Sequence, residues 1–153
     1  MTYATTKVAE AFSANPMASD RDGPYVRGWP RLWLRLEGLG MLGLCAVLFA
    51  RTDASWWLFA GLFLVPDLSF AAYLLGRRAG TIAYNLTHTE VGPVLLGLVG
   101  LLAVPAALPV ALIWGVHVGW DRMLGYGLKY NTSFDHTHLG LIGKAAKASR
   151  VSQ

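Results

Sequence analysis

From position 32 to position 120 the chain is almost continuously apolar, and only two short polar breaks, Arg51-Thr52-Asp53 and Gly76-Arg77-Arg78, divide it. A water-soluble domain of 153 residues has too little interior to hide such a length of apolar side chains, so lipid is the expected solvent. Charged residues make up 14% of the chain, below the quarter usual in soluble domains, which points the same way. A helix needs about 20 mostly apolar residues to cross the hydrocarbon of a bilayer. Residues 32–50 form the first expected crossing and residues 54–75 the second, which opens on Ser55-Trp56-Trp57, a pair of aromatics suited to a membrane–water boundary. The apolar run over 79–126 is too long for one crossing. Pro105 and Pro109 interrupt helical hydrogen bonding inside it, which splits it into 79–103 and 105–125. The expected fold is therefore all-α, an integral membrane bundle of four transmembrane helices.

The basic residues give an independent test, because cytoplasmic loops collect Lys and Arg. Four crossings put Lys7, Arg21, Arg27, Arg31, Arg35, Arg77, Arg78, Arg122, Lys129, Lys144, Lys147 and Arg150 on one side and Arg51 alone on the other. Removing one crossing scrambles this division. Both termini are expected in the cytoplasm, in a multi-pass protein of the inner (plasma) membrane. Around the membrane domain (30–126) the sequence reads as a disordered cytoplasmic tail at 1–29, with no apolar core of signal-peptide length, and a cytoplasmic juxtamembrane tail at 127–153. Lys144, Lys147 and Arg150 are expected to contact anionic lipid. The basic residues bracket apolar segments and form no patch interleaved with aromatics, so no nucleic-acid partner is expected. The single cysteine, Cys45, excludes an intrachain disulfide and any multi-cysteine metal site.

Polar residues at membrane depth are costly and usually face a bundle interior or a wet cavity. Asp67 lies nine residues before Gly76, His88 nine after Ala79, and His117 nine before Tyr126. With alternating crossings and an α-helical rise, all three sit ~13 Å above the cytoplasmic ends. Glu37, Asn85 and Asp121 form a second layer nearer the cytoplasm. Tyr84 and His88, Asn85 and His88, and His117 and Asp121 each share a helix face at three- or four-residue spacing. Pro66 is expected to kink the second helix beside Asp67. Gly115 and Gly119, at small-xxx-small spacing, are expected to bring His117 to a helix–helix contact. Glu90 is deeper, with no partner apparent. After the last crossing, Gly125 and Gly127 let the chain turn along the membrane surface. The Gly125-Tyr126-Gly127 run lacks the Thr-Val of a potassium-channel filter and is not read as one. His136 and His138 alternate on an extended segment, where they either cap the pocket or face solvent.

Three chemistries fit this cluster. In the first, buried polar groups bond one another and fix helix packing. In the second, Asp67, His88 and His117 hold zinc or another divalent metal, with Asp121 orienting a ligand or acting as base and Glu37 beside it. Tyr84, Asn85 and His138 then line the pocket, and the activity is metal-dependent hydrolysis of an amphipathic substrate. In the third, His88 and His117 hold a haem or form a proton relay. The alternative to an enzyme is a membrane assembly, binding or transport subunit, where transport from four spans would call for a homo-oligomer.

The stretches Leu36-Glu37-Gly38, Pro66-Asp67-Leu68-Ser69, Tyr84-Asn85-Leu86-Thr87-His88, His117-Val118-Gly119-Trp120-Asp121-Arg122, the run from Gly125 to Tyr130, and Thr137-His138-Leu139-Gly140 together are similar to a bacterial membrane family, domain of unknown function 4260. The resemblance runs from about residue 31 to 143 and implies a compact multi-span membrane protein without naming an activity. Pro66-Asp67-Leu68 also resembles, faintly, the Pro-Asp-Leu-Asp stretch of membrane-bound metal-dependent hydrolases, with Ser69 in place of the second acid.

Overall fold

The computed structural model describes residues 25–143, 146 and 147. Residues 1–24 of the expected N-terminal tail, and Lys144 and Arg150 of the expected lipid contacts, lie outside them. Helix α1 spans Gly28–Phe49 and α2 spans Trp56–Leu62. A 3-10 helix follows over Val65–Leu75, then α3 over Arg77–His88, α4 over Val91–Leu102 and α5 over Ala107–Leu124. A small antiparallel hairpin closes the chain, β1 (His136–Thr137) against β2 (Gly140–Leu141).

Local chemistry explains these elements. At the start of α2 the Ser55 side chain accepts a hydrogen bond from the Trp57 amide, capping the helix. Pro66 then has no N–H to continue the α-helical ladder, and the chain tightens into the 3-10 helix, where the Asp67 amide bonds back to the Leu64 carbonyl. An eleven-residue 3-10 helix is long for its kind, and such stretches mark strained or functional segments. It ends at Gly76, whose φ of +110° suits glycine.

The expected single helix over 79–103 is in fact two. It breaks at Thr89, which leaves the helical region at ψ 149°, and restarts at Val91. Pro93 supplies the reason. In an unbroken helix its ring would clash with the carbonyl of Thr89, four residues earlier, whereas in the first turn of α4 its missing N–H costs nothing.

Two stretches, Gly28–Phe49 and Trp56–Leu75, are long and apolar enough to cross a membrane, and α4 is a shorter apolar helix. The two long stretches are scarcely buried, unlike the core helix of a soluble protein. Trp57, Leu74 and Leu75 are each more than four-fifths exposed, and apolar side chains cover the outer faces of α1, α3 and α4 as well. Helix α5 is the axis of the molecule. It packs against α1, α2 and α4, and holds Ala111, Ile113, Val116, His117 and Val118 in the interior. Phe49, Leu112 and Ile113 form a core that α2 covers with Phe59 and Leu62, with Phe63 just past its end.

The α1–α5 seam depends on glycine. A Cβ at Gly119 would stand 2.7 Å from the Leu42 amide nitrogen and 2.8 Å from the Gly38 carbonyl oxygen, while one at Gly115 would stand 2.6 Å from Cys45 Sγ. This glycine face of α5 is opposite His117, so Gly115 and Gly119 close the α1 contact and leave His117 to point at other partners.

Beyond Gly125, which caps α5 at φ +93°, the chain returns into the bundle. Lys129 bridges to Thr137, the His138 amide donates to the Leu128 carbonyl, and Leu139 is fully buried. The Val26 amide donates to the His138 carbonyl and ties the start of the described chain to this segment.

Replacing Gly119 with Val should force α1 and α5 apart and destabilise the protein by about 1–3 kcal/mol. Gly40→Ala, where a Cβ meets nothing within 4 Å, should not destabilise it and should gain up to about 1 kcal/mol of helix propensity. Thermal unfolding in detergent compares the two.

Candidate metal centre

Asp67 stands at the start of the 3-10 helix, His88 at the last residue of α3, and His117 and Asp121 one turn apart on α5. The folded chain brings the four side chains together. Asp67 Oδ1 is 3.3 Å from His88 Nε2 and 3.7 Å from His117 Nε2, and the two imidazole Nε2 atoms are 3.2 Å apart. Asp121 Oδ2 is 3.6 Å from His88 Nε2. Both histidines are buried, whereas the Asp67 side chain is 39% exposed and so gives the cluster its open side.

His88 is oriented from behind. Its Nδ1 lies 2.9 Å from the Tyr84 carbonyl, which can only accept, so Nδ1 carries the proton and Nε2 presents a lone pair to the cluster. The Tyr84 ring stacks on the imidazole at 3.8 Å and 16°. The Thr87 hydroxyl, 3.3 Å from the Pro66 carbonyl, links the end of α3 to the 3-10 helix. His117 packs edge-on against Phe63, and its buried Nδ1 has no hydrogen-bond partner among the described residues.

The break after His88 leaves carbonyls without helical partners, and α5 supplies donors for them. Trp114 Nε1 donates to the Thr87 carbonyl at 2.6 Å, and Arg122 Nη2 donates to the His88 carbonyl at 2.6 Å. Arg122 also donates to the Tyr126 carbonyl at 2.7 Å and is 6% exposed, an interior brace. The Trp114 ring fits because Gly92 has no side chain, since a Cβ there would collide with it.

Other residues expected at the site lie elsewhere. Glu37 is exposed on α1, because the neighbouring Gly38 takes the contact with Arg122, so Glu37 has no part in the centre. Asn85 faces the returning segment: its amide donates to the Lys129 carbonyl at 2.9 Å, and its oxygen accepts from the Lys129 amide at 2.7 Å. His138 Nδ1 accepts from the Leu128 amide at 2.8 Å, so it secures the tail and does not cap the cluster. Burial first, and the Arg122 guanidinium second, push His138 below the ordinary histidine range. His136 lies in β1, paired with Leu141. Glu90 is exposed and lines a recess with Arg122 and His138.

Nothing in the sequence marks Trp114, and there Arg122 and Lys129 read as charges at the cytoplasmic side of the membrane. Lys129 is 4% exposed. Burial pushes its ammonium down to about 8, against the pull of Asp135 and Asp121.

The donor set suits a metal ion. Bonds of about 2.0–2.1 Å at tetrahedral angles separate ligand atoms by about 3.3–3.4 Å. The Asp67, His88 and His117 atoms stand 3.2, 3.3 and 3.7 Å apart, close to the edges of such a site. Two imidazoles and a carboxylate are ligands of zinc and of other first-row divalent ions. A haem does not fit between the histidines: two axial bonds of about 2.0 Å in line put the nitrogens about 4 Å apart with a porphyrin between them.

The model of one protein family, domain of unknown function (DUF4260), matches residues 31–142. No curated protein and no solved structure matches the chain. Asn85→Leu should remove both bonds to Lys129 and cost about 1–3 kcal/mol. Hydrogen exchange at the Lys129 and His138 amides should then become fast, while exchange in α5 stays slow.

Proposed function

The chain belongs to the family of domain of unknown function 4260, and from that premise we propose that it is a multi-span membrane protein built around a divalent-metal centre, acting as a metal-dependent hydrolase. Asp67, His88 and His117 hold the ion, zinc being the best match to this ligand set. The observation that carries this reading is the convergence of three ligand atoms from three segments onto one point, with His88 Nδ1 already committed to the Tyr84 carbonyl. A carbonyl behind a metal-ligating histidine fixes tautomer and ring orientation in such sites. A purely structural network accounts less well for the same atoms. With Nδ1 of His88 protonated, one proton on the paired Nε2 atoms would have to serve the other imidazole and both carboxylates.

When bound, a divalent ion lowers the pKa of a coordinated water toward neutrality and so supplies a nucleophile. The residues of this chain do the rest. His88 and His117 are buried and hold their positions, Asp67 lies at the open side, and Asp121 is placed to accept a proton from a water in the adjoining cavity.

The proposed topology has four crossings with both termini cytoplasmic. The one-sided distribution of Lys and Arg supports it. So does length: α2 and the 3-10 helix together extend about 32 Å, at about 1.5 and 2.0 Å per residue, enough for a hydrocarbon layer of about 30 Å.

Purified in detergent and loaded with zinc, the protein should hold about one equivalent by elemental analysis. His88→Ala, His117→Ala and Asp67→Ala should each lose it and remain helical by circular dichroism. Glu37→Ala should keep full occupancy. Stoichiometric metal in a His88→Ala, His117→Ala double variant would sink the assignment.

A further inference from the structure

Beside the metal centre lies a cavity of about 270 Å³ whose wall includes both Asp67 and Asp121. Lys129 lines the same cavity, and among the described residues of its wall the ammonium is the one buried polar group without a hydrogen-bond partner. Nζ sits over aromatic rings, 4.7 Å from the centroid of Phe70, 4.6 Å from Tyr84 and 3.1 Å from Phe134. All three rings are themselves walls of the cavity.

The backbone at Lys129 is fixed from two sides, by the paired bonds to Asn85 and by the bridge to Thr137. A side chain that served only to anchor the tail would not need a charge, because Met or Leu would fill the aromatic box without the cost of desolvating an ammonium. A buried cation held by ring faces, with no hydrogen-bond acceptor among the described residues, is instead suited to an anion that enters later. Phe134, 47% exposed, covers the ammonium from the outer side, so displacement of that ring opens Nζ to the cavity.

Charge balance selects the sign of the ligand. Asp67, Asp121 and Lys129 together leave the cavity wall with an excess of one negative charge, and a bound divalent ion turns that into an excess of one positive charge. The geometry points to a phosphate ester as the substrate, its phosphoryl group held between the metal centre and the Lys129 ammonium. Lysine and a divalent cation acting together are a recurrent clamp on a phosphoryl group. The ester is either a lipid headgroup or a soluble molecule, and the same two positive groups recognise both.

This inference rests on the metal reading, and the experiment separates the two. Zinc-loaded full-length protein in detergent is titrated calorimetrically with inorganic phosphate, and in parallel tested for binding phosphatidic acid against phosphatidylcholine presented in mixed micelles. Wild type should bind phosphate. Lys129→Met should weaken this by roughly tenfold or more at unchanged zinc content, the loss expected for one charge-assisted bond. Phe134→Ala, which uncovers Nζ, should bind phosphate at least as tightly as wild type, and it decides the matter if Lys129→Met does not fold. Lys129-dependent preference for phosphatidic acid identifies a lipid substrate. Lys129-dependent binding of phosphate alone identifies a soluble one. Zinc uptake with phosphate binding indifferent to Lys129, or abolished in Phe134→Ala, overturns this inference alone. A wild-type chain that takes up no metal overturns both.

Discussion

The break between His88 and Val91 is the constraint on which the rest of the structure depends. A chain that leaves the helix among apolar segments strands its last carbonyls, and each one left unbonded in such surroundings costs several kcal/mol. Here the Thr87 and His88 carbonyls receive Trp114 and Arg122 from α5. Those two bonds fix α3 against α5 in height and rotation, and the same register puts the His88 imidazole against His117. The cluster is thus a by-product of how a broken helix is mended.

The seams around it follow. Because α5 must reach α3 with one face, it approaches α1 with the opposite one, where Gly115 and Gly119 let the backbones come close. Arg122 is shared between the His88 carbonyl and the Tyr126 carbonyl, so the direction in which the chain leaves α5 is coupled to the position of α3. Asn85, three residues before His88 on α3, then grips Lys129. The returning segment is held by the same two helices that form the cluster, and it supplies the wall of the adjoining cavity with Lys129 and Phe134.

Much of this was legible in the sequence, though partly through an argument the structure amends. Counting nine residues from each segment end brought Asp67, His88 and His117 to one height on the assumption of uniform α-helices. The 3-10 helix rises about 2.0 Å per residue, so Asp67 is about 18 Å from Gly76, further than a count at 1.5 Å implies. The residues meet all the same, because the bonds from Trp114 and Arg122 set α3 against α5 and the Thr87 hydroxyl ties the end of α3 to the 3-10 helix beside Asp67. The break at Thr89 is legible too, in Pro93, although Pro105 and Pro109 are the stronger signal of a divider in the long run. Glu37 was misplaced because a layer argument fixes height and says nothing of rotation, and Gly38 faces α5 in its stead. Arg122 and Lys129 were hidden by their own usefulness as topology markers. A basic residue after an apolar run reads as a surface charge, and nothing in its spacing says that it folds back inside.

The remaining question is what balances two carboxylates beside two buried imidazoles. Arg122, the nearest guanidinium, spends its donors on carbonyls. Lys129 is committed to aromatic rings. Neither forms an ion pair with Asp67 or Asp121, whose close contacts are with histidine nitrogens and are ionic only when an imidazole is protonated. A proton on one imidazole balances one acid, and a second proton on the other would set two cations with nitrogens 3.2 Å apart, which repel strongly in a medium of low dielectric constant. A single divalent ion meets the same demand without that repulsion, since it uses the lone pairs that crowd the centre. The proposed metal would thus answer a demand of charge as well as one of distance.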